Sequence, residues 1–259
     1  MSTVTVAGPT GTSMRGLLTA QLLKLRTRGG LILLALNLLL PLAVLVVTLA
    51  MGQQTFDLTG ADLARPLTDA IDNPLLALIL VAVVAGADYR HGTVVPTLLA
   101  EPRRLRVALS TLLAAGGIGV AIAAVCAALG AAIALPWLAT QGVPIGDVLT
   151  DPDLWWRILG QTTVMAVLSL IGASLAILLR GALGSILTVL GISFGEGFLA
   201  GLLGPQSVSW GLFSSLDRLG DPTAADLGGP IWQPVLVVVG VLTAVVAAAL
   251  VSTARRDAA

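Results

Sequence analysis

Apolar residues gather along this chain into six long stretches, near residues 31–51, 70–87, 107–139, 155–179, 182–203 and 231–251, with polar residues collected between them. About 20 apolar residues suffice for a helix to cross a bilayer core. The pattern therefore predicts an all-α membrane protein with six transmembrane helices. The second stretch is the shortest. It is apolar only from 74 to 87 and reaches crossing length if it begins nearer Leu67. The third is too long for one perpendicular crossing. A continuous helix from Leu105 to Ala139 would extend about 52 Å against a core of about 30 Å. It must either tilt and project, or break near Gly116–Gly119.

Composition excludes the soluble alternative. The chain is 56% hydrophobic and 11% charged, with a mean hydropathy of +0.97, whereas soluble domains average about 25% charged residues. Too few polar residues remain to clothe a water-facing surface.

Charge then supplies orientation. The net charge is zero, but the signs are segregated. With the N-terminus in the cytoplasm, Arg15, Lys24, Arg26, Arg28, Arg90, Arg103, Arg104, Arg106, Arg180, Arg255 and Arg256 all fall inside, and only Arg65, Arg157 and Arg218 fall outside. The positive-inside rule places both termini in the cytoplasm. Trp137, Trp155, Trp156, Trp210 and Trp232 all sit at or beyond outer span ends, where amphipathic rings favour the headgroup layer.

The segments between spans differ in character. Residues 1–13 are small and polar, are expected to be disordered, and do not read as a secretory signal. Residues 14–28 place Met14, Leu17, Leu18, Leu22 and Leu25 on one helical face and Arg15, Thr19 and Arg26 on another, although Leu23 and Lys24 spoil the pattern. That is expected of a basic amphipathic helix in the membrane interface, the alternative being a plain extension of the first span. Residues 29–254 make the six-span domain and 255–259 a cytoplasmic tail. Loop 88–106 carries Val94, Val95, Leu98 and Leu99 amid charges, with Pro96 and Pro102 bracketing a short helix. It either docks something beneath the membrane or merely sets topology.

Glu196 is the one acid placed inside an apolar span, about 22 Å along the helix from Gly181. An ionisable group there is a functional candidate. Alternatively the helix breaks around Gly195–Gly197, the segment 198–213 forms short re-entrant pieces, and Glu196 meets water or caps a helix. Residues 204–230, with Trp210 and Phe213, suit interfacial helices between the fifth and sixth spans.

Catalytic chemistry is sparse. Lys24 is the single lysine, and no glycine-rich loop precedes it as a phosphate-binding loop requires. Cys126 is the one cysteine and His91 the one histidine, so no metal-ligand cluster is legible. An enzyme is not expected, and neither are the buried acid and histidine relays of ion-coupled carriers.

Two segments carry a resemblance. AQLLKLRTRGG (Ala20–Gly30) before the first span, and above all DYRHGTVVPTLLAEPRRLRV (Asp88–Val107) after the second, resemble the transmembrane permease subunit of bacterial ABC transporters of the type-2 exporter family. Asp88 stands where that family more usually has glutamate. The resemblance implies a permease in the bacterial inner membrane that pairs with a second permease copy, identical or related. Two cytoplasmic ATP-binding subunits would hold ATP and Mg, with no cofactor on this chain and no nucleic acid. It further implies a connecting helix at 14–28 with Lys24 and Arg26, and a coupling region of Asp88, Tyr89, Arg90, His91, Gly92, Thr93, Leu98, Leu99, Arg103 and Arg104. An outer gate or pathway would involve Glu196, Phe198, Trp210 and Phe213. An apolar path suits amphiphilic substrates such as drugs or lipids. A non-transporting membrane anchor and an ion-coupled carrier stand as the alternatives.

Overall fold

The computed structural model describes residues 13–51, 65–71, 73–90, 92, 103–221 and 230–255. Among these residues the chain is helical and contains no strand. The short helix expected within loop 88–106, and His91, Thr93, Leu98 and Leu99 with it, lie outside the described residues, as do most of the N-terminal segment and the tail.

Helix α1 spans Met14–Leu23 and starts at Ser13, whose hydroxyl accepts from the Gly16 amide at 3.2 Å. A 3-10 turn, Lys24–Arg26, follows. Thr27 is extended, and its hydroxyl accepts from the Gly30 amide at 3.2 Å to open α2, Arg28–Ala50. The single helix expected over 14–28 is thus split by a second N-cap. Glycine is needed at 30, because a Cβ there would lie 2.6 Å from the Leu25 carbonyl oxygen.

Helix α2 buries Gly30, Asn37, Pro41, Leu45 and Leu49, a single line along one face. Pro41 has no amide hydrogen, so it leaves the Asn37 carbonyl without its usual helical donor. The Cys126 thiol donates to that carbonyl at 3.8 Å. The Asn37 side-chain amide donates to the Leu33 and Leu76 carbonyls at 2.9 and 3.0 Å. Neighbouring helices thereby satisfy groups that apolar surroundings would leave stranded.

After a short α3 (Arg65–Thr68) come α4 (Pro74–Arg90), α5 (Arg104–Thr140), α6 (Ile145–Thr150) and α7 (Pro152–Leu178). Helix α5 runs unbroken through Gly116–Gly119 for 37 residues, about 55 Å. A tight turn at left-handed Arg180 (φ 55°) leads into α8, Ala182–Leu203. Helix α8 also runs through Gly195–Gly197 without a break and stops at Gly204 (φ 87°). A 3-10 turn (Pro205–Val208) and α9 (Leu212–Gly220) follow, then α10 (Trp232–Arg255).

Helices α4 and α7 form the centre. Their buried residues pack with α5 in one large apolar cluster (Leu80, Val81, Ala115, Ile122, Met165, Ala173). A second joins α7 to α8, α9 and α10 through Leu168, Val189, Leu216 and Val238. Successive long helices alternate in direction. The starts of α2, α5 and α8 therefore share one end with the finishes of α4, α7 and α10. Ten of the thirteen described Lys and Arg residues belong to this basic end. Arg65, Arg157 and Arg218 belong to the far end, with α3, α6 and α9.

Five helices (α2, α5, α7, α8 and α10) are long and apolar enough to cross a membrane. The outward surface of α8 carries Leu183, Phe194, Phe198 and Leu203, all more than 65% exposed, and Ile32 on α2 is 67% exposed. Such a surface is stable against lipid and costly in water. The architecture is that of an all-helical, multi-pass membrane protein. Helix α4, at 17 residues, is a sixth apolar helix, shorter than these five and, like α7, buried at about half of its residues.

Candidate functional site

Two polar junctions stand out against the apolar bundle, one at each end. At the basic end the Lys24 ammonium lies 2.6 Å from Asp88 Oδ2 and donates to Gln21 Oε1 at 2.7 Å. Gln21 is buried; its amide nitrogen donates to Thr111 Oγ1 at 2.9 Å, and Thr111 donates to the Val107 carbonyl at 3.0 Å. The chain of bonds thus joins the end of α4, the 3-10 turn, α1 and the first turns of α5. Both ion-pair side chains are about four-fifths buried, where a charged hydrogen bond is worth more than at an open surface.

The sequence-derived candidates at this end divide clearly. Lys24 and Asp88 meet. Arg26 is exposed on the 3-10 turn and Arg90 is exposed at the finish of α4, beside half-buried Tyr89. Gly92 is left-handed (φ 66°) just past that helix. Arg103 is exposed at the start of α5 and Arg104 is half-buried one residue on. Arg90, Gly92, Arg103 and Arg104 therefore flank segment 93–102 from both sides. Gln21 and Thr111 escaped the sequence reading. The available signal was helical spacing: Gln21 precedes Lys24 by three residues, and both turn away from the exposed face.

At the far end, Glu196 reaches from α8 to the N-terminus of α9. Its Oε1 accepts from the Leu212 amide at 2.7 Å, and its Oε2 from the Phe213 and Ser214 amides at 2.9 and 3.3 Å. These are amides with no partner inside their own helix, and the helix dipole favours a negative charge there. Glycine at 211 makes room, since a Cβ would collide with the Glu196 carboxylate. Beside this contact lies a cleft of about 430 Å³, lined by Asn73, Pro74 and Leu75 at the start of α4, Ser193, Glu196, Gly197 and Ala200 on α8, and Val208, Phe213, Ser214 and Asp217.

Of the remaining far-end candidates, Phe213 lines this cleft, while Phe198 points outward, 67% exposed. Trp210 stacks edge-on against Trp232, centroids 6.1 Å apart. The sequence reading assigned no role to buried Arg157, whose Nε lies 3.4 Å from Asp221 Oδ1, or to buried Arg218. An arginine set inside the apolar run Trp155–Leu159 was the available signal. Among the described residues no group of three His, Cys, Asp or Glu side chains could hold a metal ion. Comparison with known protein families, curated proteins and solved structures finds no match.

Proposed function

We propose that this chain is the permease subunit of an ATP-driven exporter of the type-2 ABC class. It would cross the bacterial inner membrane six times, with α4 as the second crossing and both termini in the cytoplasm. Two separate ATP-binding subunits would bind ATP and Mg and drive it, and a second permease copy would complete the path for an amphiphilic substrate.

The observation that carries this reading is the Asp88–Lys24–Gln21–Thr111 chain of bonds at the basic end. Force applied to the segment between α4 and α5 reaches both helices directly. Through Lys24 and the Thr27 cap it also reaches α1 and α2. Three membrane helices and the amphipathic entry helix are therefore mechanically linked at the basic face, where a cytoplasmic motor would act. Segregation of positive charge to that face supports the orientation. The carboxylate of Glu196 is already engaged by three amides, which leaves an ion-coupled carrier little to work with.

The test is reconstitution. The tagged chain, solubilised in mild detergent, should co-purify with a P-loop ATPase. Vesicles holding both should move a fluorescent amphiphile only when ATP is supplied. Movement without the ATPase, driven by an ion gradient, would contradict the proposal.

A further inference from the structure

The two halves of α8 are held in different ways. In the half nearer the basic end, Val189 enters the apolar core and the Ser185 hydroxyl donates to the Gly172 carbonyl at 2.8 Å. From Gly191 to Leu203 no residue is buried. The protein-facing stripe of that second half is Ser193, Glu196 and Ala200, each partly buried and each lining the cleft. None is a large apolar side chain that could bind the half-helix by burial. Its long-range polar tie is the Glu196 carboxylate on the α9 amides. Helix α9, in contrast, is anchored in the core by Leu212 and Leu216. The bonds from Ser207 to the Gly204 and Leu199 carbonyls belong to the turn that follows α8 and travel with it.

We propose that residues 191–203 form a hinged flap over the far-end cleft and that Glu196 is its clasp. With the carboxylate seated on the Leu212, Phe213 and Ser214 amides, the flap lies against α9 and the cleft is narrow. When the carboxylate leaves, the flap swings away from α4 and α9, and the cleft opens sideways toward the lipid. Gly191 and Gly195 supply the compliance, because glycine weakens a helix interior. The rigid half through Val189 remains docked. This device does not depend on an ATPase partner, so it can stand or fall separately from the exporter reading.

Two substitutions open the clasp by different routes. Glu196→Gln replaces two acceptor oxygens by one and turns an NH2 group toward amide donors. Gly211→Ala keeps Glu196 but sets a Cβ where its carboxylate sits. The full chain, with Cys126→Ala as background, is placed in lipid nanodiscs and spin-labelled at Leu202→Cys on the flap and Leu159→Cys on α7. A second pair, Leu183→Cys with Leu159→Cys, reports the docked half. Pulsed electron-spin distance measurements should give one narrow Leu202–Leu159 distribution in the parent. Both variants should broaden it by several ångströms toward longer distance while the Leu183–Leu159 distribution stays unchanged. An unaltered Leu202–Leu159 distribution in Gly211→Ala, or an equal shift in both pairs, would overturn the proposal.

Discussion

At the basic end, side chains meet one another: Lys24, on its long flexible stem, reaches Asp88 and Gln21 from a 3-10 turn. At the far end, a carboxylate meets backbone: Glu196 is received by three successive amides whose positions α9 fixes. The first junction can stretch and re-form as its helices shift by a fraction of an ångström, since the four-carbon lysine stem can follow by changing rotamer. The second has little such latitude, because amides at a helix start do not follow a departing carboxylate. The difference suits a junction that transmits graded force at one end and a contact that is either made or broken at the other.

Breaking the basic end should have the larger consequence. Arg103→Glu with Arg104→Glu, at the start of α5, is expected to abolish substrate-stimulated ATP hydrolysis in the reconstituted complex while the chain still inserts and folds. Normal stimulation would reduce the flanking arginines to topology signals. Breaking the far end should cost stability instead. Glu196→Gln is expected to lose about 2 kcal/mol, the scale of a helix cap reinforced by the dipole, seen as a lower melting temperature in detergent. Binding of the ATPase should be unchanged, and a matching loss of ATPase binding would erase the distinction between the two ends.

Smaller effects sharpen the contrast with the interior. Cys126→Ala removes the donor that compensates for Pro41 and should destabilise by about 1 kcal/mol. Cys126→Ser retains a donor and should cost less. Thermal unfolding of the two variants side by side decides this, and equal losses would assign the effect to packing alone. Phe198→Ala, on the outward face of α8, should change stability by less than about 0.5 kcal/mol. A larger loss would mean that Phe198 packs against something other than lipid.

Much of the architecture was legible because lipid imposes a coarse rule: long apolar runs, and charges at their ends. The shortness of α4 was legible too, from an apolar run confined to 74–87. The split at Thr27 was not, since it depends on a threonine hydroxyl finding the Gly30 amide within an otherwise helical pattern. Helical spacing marked Lys24 as a residue that spoiled an amphipathic face, and the resemblance placed both Lys24 and Asp88 in the coupling region without pairing them. Its partner Asp88 lies 64 residues away, a distance no local periodicity encodes. Glu196 was visible as a misplaced acid, and capping was one of its two readings. The cap arises without the helix break once attached to it, because α8 continues to Leu203 and α9 turns back to meet it. Backbone amides have no sequence signature, and Gly211 is the single residue that betrays their approach.

The most direct test of force transmission through the basic end is a charge exchange at Lys24 and Asp88, read as ATP-driven amphiphile transport in vesicles containing the chain and its ATPase. Lys24→Asp alone and Asp88→Lys alone should each cut transport about tenfold, and the double exchange should recover much of it, a coupling of ~2–3 kcal/mol between the two positions. Single variants that transport normally, or a double variant no better than either single, would contradict the account.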